Sequence, residues 1–369
     1  MHIRAASGLT GRERLLGLAA AALLATGGVG VSALPAGHSA ARTVGVPAAS
    51  VAPTAPPSEA KPPAPPSPRA ATQVPVDRVL PPTPPRTGCP VVPHPGGHPR
   101  PLPPPTVADK DLPTPLPVHG KASSVTAVTG KGLWATPLTA SAVDVDRLVA
   151  RARAAGVRSI WIRTGGTRQG FYGGGFLPRL VAAAHAAGLR VVAWDFPLLS
   201  DPVADAGRAQ QALTRGVDAF SADVETAAEG TRLTVARVRV YLSLVRAYAG
   251  TRPVVATVPR PSAARSGFPY SAFVPYADVF APMVYWSCHE PGALVEQALR
   301  LLGRMLPVAP VGQAYDMGPE GGRRGTPSRA ETLRFLDAAR RAGAIGASLW
   351  TLEQAGPAQL QALADYPWR

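Results

Sequence analysis

The rhythm of apolar and polar positions changes twice along the chain. Residues from Leu15 to about Leu34 form a nearly unbroken apolar run, and from 41 to 121 no period survives. From Ala122 onward, short apolar runs alternate with amphipathic stretches of helical period. This pattern predicts strands over 132–136, 159–163, 190–195, 219–225, 253–258, 278–285, 308–314 and 347–352. A helix is expected after each. The first opens where Ser141 and Asp144 form a capping-box pattern and closes at Gly156. The next covers 176–187 before Gly188, and the third 201–215. A long helix then ends near Tyr248, and a short one lies near 270–276. The last three cover 291–304, 328–342 and 357–364.

Eight strand-then-helix units in about 245 residues match the count and size of a (β/α)8 TIM barrel. The strands are near-continuous apolar runs, as parallel strands covered on both faces should be. A doubly wound open sheet is the rival. It demands no eight repeats, and no Gly-x-Gly-x-x-Gly turn follows the first strand. The expected organisation is a signal segment over 1–40, a disordered Pro-rich linker over 41–121 and the barrel over 122–369.

Composition sharpens the first two parts. Arg4, Arg12 and Arg14 precede the apolar run, and Ala33, Ala36 and Ala40 follow it, the order of a secretory signal. An anchor helix is the alternative, interrupted by Gly27, Gly28, Gly30 and Pro35. Either reading puts the remainder outside the cytoplasm, secreted or on the cell envelope. Of the chain's 43 prolines, 25 fall within 41–120, in runs such as Pro62-Pro63-Ala64-Pro65-Pro66. Proline lacks an amide donor and fixes φ, so this stretch reads as an extended spacer. The net charge of +15 favours anionic surfaces such as cell-wall polymers. The basic residues form no single run with interleaved aromatics, so nucleic acid is not an expected partner, and a monomer is expected. Cys89 and Cys288 either pair across the linker's end and the domain or stand as two free thiols.

Function in such a barrel sits where strands enter their following loops. Polar candidates there are Arg163, Asp195, Asp223, Glu225, Asp316 and Glu353, with Tyr285, Trp286 and Trp350 as aromatic surface. The fourth strand is the most informative. Side chains alternate with period two, so Ser221, Asp223 and Glu225 share one face while Phe220, Ala222 and Val224 share the other. The apolar set must meet the helices, which turns both acids toward the barrel mouth. Two carboxylates this close push one pKa up, as protonating a glycosidic oxygen requires. Alternatively, Arg163 or another arginine neutralises them in a structural pair. His289 and Glu290 are candidates for metal or proton chemistry, but three ligands with common spacing are absent from the sequence, so neither metal nor cofactor is expected. Two Gly-rich loops, 165–175 and 321–325, read either as substrate lips or as connectors, and no Gly-x-Ser-x-Gly nucleophile turn occurs.

Asp218, Asp223 and Glu225 resemble three of the four acids in the Asp-x-x-Asp-x-Asp-x-Glu signature of glycoside hydrolase family 18, with Ser221 at the second aspartate. Met283-Val284-Tyr285 resembles that family's Met-x-Tyr, with Trp286 where an aspartate or asparagine follows, and Trp350 its strand-eight tryptophan. The Asp-x-Glu pair after Asp195 also resembles family 25 lysozymes. The resemblance implies a glycosidase acting on a polysaccharide with N-acetylhexosamine, chitin-like or peptidoglycan. It makes Glu225 the general acid and gives Asp223 and Tyr285 the substrate's acetamido group. The departures at Ser221 and Trp286 keep a non-catalytic wall-glycan-binding barrel as the alternative.

Overall fold

The computed structural model describes Cys89 and residues 104–118, 120–262 and 265–368. The expected signal segment and most of the spacer lie outside these residues. Eight strands form the barrel: β1 Gly130–Ala135, β2 Ser159–Gly166, β3 Arg190–Phe196, β4 Ala219–Asp223, β5 Val254–Pro259, β6 Val279–Val284, β7 Val311–Gln313 and β8 Gly346–Trp350. Each pairs in parallel with the next, and β1 pairs with both β2 and β8, so the sheet closes. That closure rules out the open doubly wound sheet. A two-residue strand, Gly170–Phe171, adds an antiparallel flap to β2.

Seven α-helices cover the barrel among the described residues: α1 Val145–Ala154, α2 Leu177–Ala186, α3 Pro202–Leu213, α4 Val235–Ala249, α5 Pro291–Leu302, α6 Arg329–Arg341 and α7 Pro357–Asp365. Side-chain caps start several of them, because the first-turn amides otherwise lack acceptors. Asp201 opens α3, Thr234 opens α4, and Ser328 with Glu331 forms a capping box on α6. The start of α1 differs from expectation. Asp144 caps it by accepting from the Arg147 amide, and Ser141 sits in a preceding 3-10 turn. Between β5 and β6 the short helix shrinks to a 3-10 turn, Tyr270–Ala272.

Each strand sorts its side chains into two layers. Ile160, Ile162, Val191, Ala193, Phe220, Ala222, Val254, Ala256, Phe280 and Leu349 pack under the helices. Trp161, Val192, Trp194, Ala219, Val255, Val279, Ala281, Val311 and Trp350 fill the interior. Two aspartates repeat one task at the base. Asp218, just before β4, accepts from the Val191 amide of β3 at 2.8 Å, and Asp278, just before β6, accepts from the Val254 amide of β5 at 2.8 Å. Each also meets a cation, Arg190 for Asp218 and Arg246 for Asp278.

The late part of the stretch read as spacer lies against this unit. Thr106 and Val107 donate their amides to Ser200 in the loop after β3. Leu116 donates to Ser243 on α4, and Ser123 to Thr251 below it. Extended backbone therefore runs along α4 from the mouth end to the base before entering β1. Arg237 of α4 is its main clasp. Its guanidinium donates to the carbonyls of Leu199, Ser200 and Val107 and pairs with Asp109 at 2.6 Å. Cys89 and Cys288 form a disulfide with Cα atoms 5.7 Å apart, which decides between the two alternatives left by the sequence.

Replacing Arg237 by Met should release residues 104–118 from α4. Trypsin should then cut after Lys110 faster, and stability should fall by about 1–3 kcal/mol, the cost of leaving buried carbonyls without donors. Fragment mapping by mass spectrometry and urea unfolding check this; an unchanged cleavage rate would contradict the clasp.

Candidate active site

The phase of β4 decides the site. Phe220, Ala222 and Val224 lie in the helix-facing layer and Ala219 in the interior. Asp223 is in phase with Ala219, and Glu225 follows at the next inner position as the chain leaves the strand. Both are buried, at 1% and 4% exposed. Ser221, one inner position below, shares a 2.7 Å hydrogen bond with Thr257 on β5, so its hydroxyl is committed there.

The floor beneath is aromatic. Trp134 stacks on Trp161 at 4.7 Å, and its ring centroid lies 5.5 Å from that of Trp194 and 5.6 Å from that of Trp350. Trp194 and Trp350 are 5.1 Å apart. A side chain at Gly132 would meet the Trp161 indole nitrogen at 2.6 Å, so only glycine admits this cluster. Indole N–H groups are satisfied inside: Trp134 donates to Ser348 and Trp161 to Ser159. Of the four, Trp350 stands at the exit of its strand, next to a cis peptide bond with Thr351.

On β6, Val279 and Ala281 face inward, and Tyr285 continues that phase. Its ring meets Tyr315 edge-on at 5.3 Å, and the Tyr315 hydroxyl donates to Glu320 at 2.8 Å. Arg163 is an inner residue of β2, in phase with Trp161. Its Nε donates to the Gly165 carbonyl at 3.1 Å, and its guanidinium carbon sits 5.4 Å from the Trp194 ring centre. It forms no ion pair among the described residues, so it does not neutralise the β4 acids.

Two expected mouth residues are elsewhere. Trp286 is in phase with Phe280 and Val284, faces outward, is 0% exposed and stacks on Phe335 of α6 at 5.4 Å. Gly312 on β7 makes room for Phe335, because a Cβ there would lie 2.6 Å from its ring. Asp195 likewise continues the outward phase of Val191 and Ala193. It accepts from Arg208 of α3 at 2.6 and 3.2 Å, and Arg208 also pairs with Asp205. Burial pushes the Asp195 carboxyl up while Arg208 draws it back down, and the carboxylates hold Arg208 firmly protonated. Asp195 thus anchors a helix.

Asp316 and Glu353 stay at the mouth end but serve local backbone. Asp316 accepts from the Gly318 amide at 2.7 Å, and Glu353 accepts from the Thr136 amide at 2.7 Å and the Thr351 hydroxyl. In the second loop, Phe171 lies under Arg215, and Tyr172 donates to the Pro137 carbonyl. In the seventh, Arg323 is tied to Glu331 at 2.6 Å, and in the sixth Glu290 pairs with Arg334 of α6. Among the described residues no cluster of three metal-ligand side chains occurs. Gln313, Tyr315 and Thr257 were not among the sequence candidates. They follow the inward phase of Val311 and Val255, a signal present in the sequence. Gln313 holds the Ser287 amide at 2.9 Å and the Tyr315 carbonyl at 3.0 Å, fixing the turn after β6.

No family model matches the chain, and no curated protein matches it. Its fold is similar to several solved structures. A Bacteroides thetaiotaomicron protein assigned as an alpha-L-fucosidase shares 10% identity, with 71% of this chain and 97% of that one covered, at a TM-score of 0.50. The spore cortex-lytic enzyme SleL of Bacillus cereus shares 12%, covering 64% and 73%, at 0.48. The chitinase RmChi1 of Rhizomucor miehei shares 13%, covering 64% and 99%, at 0.47. At these identities the likeness is one of fold, a (β/α)8 barrel.

Because Trp286 packs under a helix, truncating it to Ala should cost about 3–5 kcal/mol of stability. Urea unfolding measures this, and an unchanged midpoint would return Trp286 to the mouth.

Proposed function

We propose that the protein is a glycosidase that cuts a polysaccharide containing N-acetylhexosamine, such as chitin or peptidoglycan glycan. The observation that supports this is the inward phase of Asp223 and Glu225 at the exit of β4, beside Tyr285 and above a tryptophan floor. Aromatic faces suit sugar rings, and a carboxylic acid sheltered from water suits proton donation to a leaving oxygen.

In this mechanism Glu225, protonated, gives its proton to the glycosidic oxygen as the bond to the anomeric carbon breaks. The substrate's own acetamido oxygen attacks that carbon, so no enzyme nucleophile is needed. Asp223 accepts from the acetamido N–H and stabilises the positive charge that develops there, while Tyr285 donates to the same group. Water then opens the cyclic intermediate, and the Glu225 carboxylate takes its proton, restoring the starting state. The apolar signal-like N-terminus and the disulfide support action outside the cytoplasm, where such bonds persist.

A second reading, a barrel that binds wall glycan without cutting it, draws on Ser221. It stands where the family 18 signature has an aspartate, and its hydroxyl is bonded to Thr257 rather than to another acid. Proton movement along β4 then lacks that step.

Replacing Glu225 by Gln should lower kcat about 10²–10⁴-fold while leaving the unfolding midpoint unchanged. Release of reducing ends from chitin oligomers and from peptidoglycan measures it. Turnover equal to the unaltered protein would end the assignment of Glu225, and binding without any release by the unaltered protein would favour the second reading.

A further inference from the structure

The buried arginines of this protein differ in one respect. Arg208 pairs with Asp195 and Asp205, Arg246 with Asp278, and Arg237 with Asp109. A guanidinium taken out of water needs such a partner, because desolvation otherwise costs several kcal/mol. Arg163 is 4% exposed yet forms no ion pair among the described residues. Its contacts are one carbonyl, a long 3.4 Å approach to Gln169, and the face of Trp194. Asp195, whose carboxyl feels the Arg163 charge, is already bonded to Arg208, and Glu353 to Thr136 and Thr351.

Its place is the mouth. Arg163 is in register with Trp194 of β3, and Trp194 with Ser221 of β4. The three stand at one level across neighbouring strands, so Arg163 is about 10 Å, two strand spacings, from the strand bearing the acids. Arg260, directly after β5, continues the outward phase of Val254, Ala256 and Val258 and lies on the helix side, so it is not part of the mouth.

We infer that the mouth takes an acidic glycan, one whose sugars carry carboxylates, with Arg163 the partner of a carboxylate beside the reacting sugar. This rests on the glycosidase reading and narrows its substrate class to polymers that bear carboxylates. A planar guanidinium offers two parallel N–H donors to a carboxylate, and the Trp194–Trp350 surface beside it offers a sugar face its apolar contact. Two carboxylate sources share this chemistry: the lactyl ether of muramic acid in glycan strands stripped of peptide, and the C6 carboxylate of a uronic acid.

The test uses the full chain and needs no variant at first. Binding is measured by calorimetry to peptide-free peptidoglycan strands, to a polymer alternating uronic acid with N-acetylhexosamine, to each after chemical reduction of its carboxylates to alcohols, and to chitin oligomers. At least one acidic polymer should bind about tenfold to hundredfold more tightly than its reduced form, the worth of a hydrogen bond to a charged group. Which of the two does so identifies the carboxylate. Arg163→Gln should narrow that gap. Equal affinity for acidic and reduced polymers overturns the inference, as does a full preference retained in the variant. Should Arg163→Gln fail to fold, Arg163→Lys, which keeps the charge but loses the paired donors, takes its place and should narrow the gap as well. A carboxylate preference with no released reducing ends counts against the glycosidase reading alone. Cleavage of neutral and acidic polymers at equal rates counts against this inference alone.

Discussion

A strand residue in a closed parallel barrel faces either the packed interior or the helix layer, and only at the strand exits does the inner side open toward solvent. The β1–β8 pairing enforces that choice on every strand. Phe220, Ala222 and Val224 take the helix side, so Ser221, Asp223 and Glu225 take the other. Below them the interior is filled by Trp134, Trp161, Trp194 and Trp350, with Gly132 yielding its side-chain space to an indole. Inner polar groups near the exits therefore cannot sink into the barrel and stay at the mouth.

Charge inside the protein follows a second constraint. Arg208 ties α3 to β3 through Asp195, Arg246 ties α4 to the start of β6 through Asp278, and Arg237 clasps the N-terminal strap. Each pair offsets the desolvation of its members and joins elements distant in sequence. The two base aspartates extend the same scheme, their carboxylates accepting a backbone amide near the start of the preceding strand. Against this background of matched charges Arg163 stands apart, buried at the mouth with no ion pair among the described residues.

The eight repeats were legible because strands covered on both faces read as apolar runs and helices carry caps and a 3.6-residue period. The inward aim of Asp223 and Glu225 was legible for the same reason, since alternation is a property of extended backbone. Trp286 and Asp195 lie close to strand ends, which points to the mouth, but their phase with Val284 and with Ala193 turns them outward. Gln313, Tyr315 and Thr257 carry the converse lesson, being inner residues hidden within runs that look merely apolar.

Backbone period and local capping thus come from the sequence alone, because they depend on neighbours within a few residues. Other features needed the closed fold. Cys89 finds Cys288 across 199 positions, and residues 106–116 find Ser200, Arg237 and Ser243 along one edge of α4. The proline-rich composition makes that segment extended without saying what it lies against. Whether a buried arginine meets a carboxylate also depends on which strands and helices become neighbours, and only closure of the barrel decides that.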